Sequence, residues 1–217
     1  MTPDALAQAA RACRLFVSGV VGLTAADGLP PRFGTLALLS PDEPGFWPHV
    51  EASPEFRDGA PDPLDRWSRR TIEALAAEVG GMAVFPFGGP PWHPFFAWAL
   101  RSGQAWKSPM QLLVHDRMGL MASYRGGIAL PVPPPPGPPA AAPPPSTGSP
   151  APRPGGRPAG AITAGRYDLA ACHAWLDTPG GENCLNSGCL ARRACPLSAS
   201  YGRLAGQSAW HMRHFHR

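Results

Sequence analysis

Short apolar runs bounded by Gly or Pro recur through the first 130 residues of the chain. Runs of this length and setting predict buried strands. The predicted strands are Leu15–Val21, Phe33–Leu39, Met82–Phe87 and a hairpin of Met110–His115 with Leu120–Tyr124 around the turn at 116–119.

Amphipathic stretches lie between these runs and predict helices. Asp62-Pro63 begins the clearest helix. Its apolar stripe comprises Leu64, Trp67, Thr71, Leu75 and Val79, and Gly80-Gly81 follows as a stop. Two further helices are predicted to begin at Thr2-Pro3 and at Pro94, the second running through Leu100. Strands interrupted by long helices indicate an α+β domain with helices against a central sheet.

A proline-rich segment follows this region. Fourteen of the 28 residues at 131–158 are proline, and most of the others are Ala, Gly and Ser. This composition cannot form a helix or a sheet ladder, so it predicts an extended, disordered linker. We therefore expect a body at 1–130, a linker at 131–158 and a cysteine-containing module at 159–217.

Four of the five cysteines belong to this last module: Cys172, Cys184, Cys189 and Cys195, the last followed by Pro196. Thiolates are preferred ligands of iron–sulfur clusters and zinc, so these four residues are candidate metal ligands. The odd total argues against a disulfide framework in a chain expected to be cytoplasmic. Cys13 falls on the apolar face of the first helix and is expected to be a small buried residue.

Three interpretations of the four thiols stay open. In the first, one [4Fe–4S] cluster is held by all four cysteines, or by three cysteines and an external ligand. In the second, zinc takes its place, since four thiolates suit tetrahedral coordination, although the run has no Cys-x2-Cys pair. In the third, the module binds no metal and its cysteines are buried remnants.

Charge is distributed unevenly along the chain. Residues 1–130 carry 11 Lys and Arg against 12 Asp and Glu, whereas residues 131–217 carry 8 against 3. Arginines near thiolates offset their negative charge, and the aromatic–basic interleaving of a nucleic-acid groove is missing, so no nucleic-acid partner is expected. No apolar run approaches the ~20 residues that span a bilayer, so no membrane partner is expected either.

Two stretches of the body resemble the cobalamin-processing (CblC-type) proteins: Pro61–Leu75 and Leu112–Pro131. The resemblance implies a flavin-reductase-like central sheet with flanking helices, and binding of a corrinoid or a flavin. It also implies that Arg125 holds a thiol cosubstrate, and that His115 is the histidine before the hairpin turn of that family. Asp116 departs from the family, which has proline there.

The module at 159–217 resembles bacterial ferredoxins and the ferredoxin module of epoxyqueuosine reductases. The resemblance lies in Tyr167-Asp168, then Cys172, and the run Cys184–Pro196. It implies a small helical cysteine module that corresponds to half of a two-cluster ferredoxin. In that family the cysteine before proline serves the other cluster, which would separate Cys195 from its three companions.

Other candidate residues carry weaker signals. His173 is expected to be solvated or to support the site, and the pair His211 and His214 to form an exposed basic helix end. The aromatic residues at 85–98 suit either core packing or a flat cofactor pocket. No residue is identified as catalytic, and the oligomeric state is not indicated.

Together these observations predict a cytoplasmic ferredoxin-like protein that transfers one electron to or from a redox partner protein. Two alternatives remain: a CblC-type reductase that binds a corrinoid or flavin, and a non-redox interaction protein with a metal-free module.

Overall fold

The computed structural model describes residues 3–133, 159–163 and 165–216, which form parts of two compact units. The first unit contains the described residues up to 104 together with 123–133. The second contains 105–122 and the described residues from 159 onward. The boundaries predicted at 130 and 158 stay a prediction, and most of the predicted linker lies outside the described residues.

Helices and strands are mixed along the chain up to residue 167, and the elements described after that residue are helices. The helices are α1 (Pro3–Ala12), α2 (Phe46–Glu51), α3 (Pro63–Glu78), α4 (Phe95–Arg101), α5 (Leu169–Leu176), α6 (Glu182–Ser187), α7 (Leu190–Arg193), α8 (Pro196–Ser200) and α9 (Ala205–Phe215). The strands are β1 (Leu15–Gly22), β2 (Thr35–Pro41), β3 (Met82–Val84), β4 (Ala105–Lys107), β5 (Leu113–His115), β6 (Gly126–Leu130), β7 (Ile162–Thr163) and β8 (Arg166–Tyr167). The prediction of a mixed helix and sheet structure is confirmed.

A four-stranded antiparallel sheet organises the first unit, in the order β1-β2-β6-β3. All residues of β2 are buried, as expected for a central apolar strand. Helix α3 approaches β6 closely at Gly126, where an added Cβ would lie 2.7 Å from Cδ1 of Ile72. Glycine at this position therefore allows the apolar stripe of α3 to pack on the sheet.

The sequence places most elements of this unit correctly, with shifted ends. Strand β1 and helix α3 match their predictions, and Leu64, Trp67, Thr71 and Leu75 are buried as the stripe requires. The predicted strand Met82–Phe87 ends early, at Val84. Gly88 and Gly89 have positive φ, so the chain turns away from the sheet soon afterwards. Thr2, the predicted cap of α1, lies outside the described residues.

The predicted hairpin is wrong in its pairing. Leu113–His115 pairs with Ala105–Lys107 rather than with the residues after the turn. The turn at 116–119 forms, closed by a bridge between His115 and Gly119, but the chain then leaves the strand. The ladder ends at Met121, whose backbone N–H bonds to the carbonyl of Met118 over 3.0 Å instead of to β5. The N–H of Leu120, which points away from β5, bonds to the hydroxyl of Ser198 over 2.8 Å.

The second unit therefore joins β4 and β5 to the cysteine-containing segment through a shared apolar core. Its buried members are Leu112, Val114, Leu120 and Cys195, with Met110, Tyr167 and Leu197 packed against them. The guanidinium of Arg192 donates to the carbonyl of Leu120 over 2.5 Å. The Arg192–Leu120 hydrogen bond and the apolar core thus hold residues 112–120 against α7 and α8.

Candidate functional site

Three of the four candidate ligands, Cys172, Cys184 and Cys189, line one cavity in the second unit. Its volume is about 40 Å³. Each cysteine comes from a different place: Cys172 from α5, Cys184 from α6 and Cys189 from the residue before α7. The rest of the lining is mostly apolar: Ala159, Ala161, Ile162, Trp175, Leu176, Leu190, Ala191 and Met212.

Local chain geometry explains why the three cysteines converge. The carboxylate of Asp168 caps α5 by accepting from the N–H of Ala171 over 3.0 Å, which fixes the first turn that carries Cys172. Between the other two cysteines, Gly188 has φ of 91°, and its N–H bonds to the carbonyl of Cys184 over 2.8 Å. A side chain at 188 would also meet Ser208, so glycine permits the turn.

Two of the cavity thiols, Cys172 and Cys184, stay protonated at neutral pH in the metal-free protein. Burial raises the pKa of Cys172 and of Cys184, and the nearby Cys189 raises both further. A soft metal requires the thiolate form, so the binding of such a metal at this cavity would release protons. Arg193 opposes the rise at Cys184 through its positive charge.

Tyr167 is the polar neighbour of Cys172. Its hydroxyl donates to the Cys172 sulfur over 3.7 Å, and this bond lowers the pKa of the thiol against the effect of burial. Burial, followed by the bond to Cys172 itself, raises the pKa of the Tyr167 hydroxyl far above its usual range. The hydroxyl therefore stays a hydrogen-bond donor at neutral pH.

A residue with a second hydrogen-bond donor also lines this cavity. Trp175 is among the lining residues, and its indole Nε1 is buried without a hydrogen-bond partner in the described part of the chain. An orphaned buried N–H is costly unless an acceptor is supplied. The residues around the cavity thus include three thiols, which soft metals prefer as ligands, and one residue with a buried N–H that has no acceptor among the described residues.

Cys195 is not brought to this cavity. It is 6% exposed and packs among Leu112, Val114 and Leu120 in the apolar core. Within the described ranges, no group of three or more His, Cys, Asp or Glu side chains is positioned to hold a single metal ion. The three thiols thus line a common cavity without being arranged as the coordination sphere of a single metal ion.

His115 and Arg125, the two candidate cofactor residues, belong to different units. His115 is 1% exposed, and its Nδ1 accepts from the backbone N–H of Arg117 over 3.0 Å, so the ring supports its own turn. Arg125 is largely buried, with Nη1 3.5 Å from Asp65 and an Nε that bonds to no described atom. Burial lowers the pKa of its guanidinium.

The histidines near the C-terminus are not simply exposed. His214 lies over the indole of Trp210 with a centroid distance of 3.8 Å. His173 stacks on Phe215, and its Nδ1 lies 2.9 Å from Nδ1 of His216, whose Nε2 meets Asp177 over 3.0 Å. The sequence gives no sign of this series of contacts, because His216 lies 43 residues from His173 and 39 residues from Asp177 and no sequence motif includes them.

Cys13 is partly exposed rather than buried, which corrects its prediction. It lies at a cleft of about 440 Å³ in the first unit, whose lining includes His49, Trp67, Arg70 and Glu78. Burial and the charge of Glu78 raise the pKa of its thiol.

The aromatic residues at 85–98 do not form the wall of a single pocket: Trp98 is fully buried, whereas Trp92 is 63% exposed.

No helix in the described ranges is long and apolar enough to cross a bilayer. In comparisons with known proteins, no protein-family model, no curated protein and no solved structure matches this chain.

Proposed function

We propose that this chain is a cytoplasmic, ferredoxin-like electron-transfer protein that holds an iron–sulfur cluster at the cavity of Cys172, Cys184 and Cys189. The single observation that carries the proposal is the convergence of these three thiols, from three separate elements, on one apolar cavity. Thiolates in an apolar pocket are the usual protein environment of such clusters.

The residues present suit this role. The three cysteines would supply thiolate ligands, and a non-protein ligand would complete the set because Cys195 is packed elsewhere. When bound, the cluster would accept one electron from a reduced partner protein and pass it to an oxidised one. The apolar lining would exclude water, while Arg192 and Arg193 on α7 would offset the added negative charge.

Anaerobic reconstitution with ferrous iron and sulfide tests the proposal. The wild-type protein is expected to become brown, with a broad absorbance band near ~400 nm and acid-labile sulfide. Cys184→Ser is expected to lose this absorbance and most of the iron. Cys13→Ser removes a thiol from the first unit and serves as the matched control that keeps both.

Cys195→Ala distinguishes a cluster held by three cysteines and a non-protein ligand from a cluster held by all four cysteines. Full iron content in this variant supports the three-cysteine site, whereas loss of the cluster from a folded protein makes Cys195 the fourth ligand. A colourless wild-type protein that retains neither iron nor sulfide after reconstitution overturns the proposal.

A second candidate function rests on Arg125. A largely buried guanidinium with an Nε that meets no described acceptor, and with Nη1 3.5 Å from Asp65, suits an anionic ligand. This is the CblC-type alternative, in which the body binds a corrinoid or flavin together with a thiol cosubstrate. Titration of the protein with hydroxocobalamin and with FMN, followed by absorbance, tests it. Saturable binding that is weakened in Arg125→Met supports this candidate, and no spectral change with either ligand excludes it.

A further inference from the structure

The hydroxyl of Tyr167 is held in place by the structure around it. Tyr167 pairs with Ile162 in the β7–β8 ladder, and the next backbone N–H, that of Asp168, bonds to Ala161 over 2.7 Å. The side chain packs against the apolar core that includes Leu112 and Cys195. Both its backbone and its ring are therefore fixed, and its hydroxyl points to the sulfur of Cys172 at 3.7 Å.

We propose that Tyr167 is a positioning and tuning residue of the cluster site, whose hydroxyl donates to the Cys172 sulfur and raises the reduction potential. The inference rests on the proposed function. One electron enters from an external one-electron donor, no covalent bond breaks and no proton leaves. The added negative charge is shared by the ligand sulfurs, so a fixed O–H donor stabilises the reduced state more than the oxidised one.

Tyr167→Phe removes the donor and keeps the ring that packs on the core. In the reconstituted protein this variant is expected to have a lower reduction potential. We expect about a tenfold change in the reduction equilibrium, equivalent to about 59 mV for one electron. Tyr201→Phe is the matched control, because it removes a hydroxyl from the same unit at a residue that does not line the cavity. Its potential should equal that of the wild type.

Resonance Raman spectroscopy supplies a second readout. Exchange into D2O should shift an iron–thiolate stretching band in the wild type and in Tyr201→Phe, but not in Tyr167→Phe. Unchanged potential and unchanged Raman bands in a loaded Tyr167→Phe protein overturn the inference and leave the proposed function standing. Failure of Tyr167→Phe to load iron also overturns it, because Tyr167 would then serve only to build the site. Failure of the wild type to load any cluster overturns both.

Discussion

The indole Nε1 of Trp98 donates a hydrogen bond of 2.7 Å to Oδ1 of Asp27, joining α4 to the short 3-10 turn that follows β1. Arg101 reaches the same carboxylate over 2.5 Å, and the N–H of Thr24 bonds to its other oxygen. Burial alone would raise the pKa of Asp27, but these bonds lower it far below its usual range. The ionised carboxylate of Asp27 thus links α4 to the turn after β1 through hydrogen bonds.

Asp27→Asn is expected to destabilise the first unit by about 2–3 kcal/mol, because the charge-assisted bonds of a buried carboxylate are lost. Urea unfolding monitored by tryptophan fluorescence measures the change. Asp58→Asn is the control, since Asp58 pairs with Arg66 at an exposed site and should have a much smaller effect. Equal stability losses in the two variants would contradict the special role of Asp27.

Acid pH should weaken the first unit through Glu55. Its hydrogen bonds from Arg70, at 2.5 and 3.1 Å, lower the pKa of Glu55 from 4.5 to about 2. Because the folded-state pKa is the lower one, the contribution to stability is present above pH 4.5 and is lost as the pH falls towards 2.

The contribution of Glu55 is expected to be about 1–2 kcal/mol, since Arg70 is largely exposed. The difference in unfolding free energy between wild type and Glu55→Gln, measured from pH 7 down to about pH 2, isolates it. The difference should shrink across this acid range. A difference that is constant with pH would show that the charge of Glu55 is not responsible.

Local patterns predicted the elements of the fold better than their pairing. The stripe from Leu64 to Leu75 identifies α3 because a single helix face determines which residues are buried. The way in which the chain leaves the turn after Gly119 involves distant and local bonds instead: the N–H of Leu120 bonds to Ser198, 78 residues away, and the N–H of Met121 bonds to the carbonyl of Met118. The periodicity of 110–124 encodes neither hydrogen bond.

The candidate site was predicted to a similar extent. Spacing and residue type singled out Cys172, Cys184, Cys189 and Cys195, and the structure brings the first three to one cavity but packs Cys195 in the apolar core. Tyr167 was part of the ferredoxin resemblance through Tyr167-Asp168, but nothing in the sequence identified it or Trp175 as a hydrogen-bond donor, because a tyrosine or tryptophan beside a cysteine run is equally typical of ordinary packing. Their polar atoms gain meaning only from where the folded chain places them.

Gly119 should be intolerant of substitution. Its φ is 54°, and a Cβ there would lie 2.4 Å from the backbone nitrogen of Ser198. Gly119→Ala is expected to cost about 3 kcal/mol or more, from the left-handed backbone together with the overlap. Gly160→Ala is the matched control, since its φ of 63° is similar but its Cβ would meet no atom within 4 Å. Thermal unfolding of both variants measures the difference, and similar melting temperatures would rule out the overlap.

Gln207 on α9 is fully buried, and neither atom of its amide is hydrogen-bonded within the described residues. Replacement by the similarly shaped Met should stabilise the second unit by about 1 kcal/mol, because an unpaired buried amide costs free energy that a thioether does not. Gln8→Met, at an exposed position of α1, is the control and should change little. Urea unfolding provides the comparison, and a loss of stability in Gln207→Met would show that the amide has a partner.

Thiol reactivity of the metal-free protein should reflect the cavity. The pKa values of Cys172 and Cys184 are raised chiefly by burial, so the thiolate fraction at neutral pH is below that of a free cysteine. Alkylation by iodoacetamide, followed at each cysteine by peptide mass spectrometry, should therefore be slow at pH 7 and accelerate above the ordinary thiol pKa. Unfolding in urea should increase the alkylation rates of Cys172 and Cys184 to that of a free cysteine. Rates equal to those of the unfolded chain at pH 7 would show that the cavity does not shield these thiols.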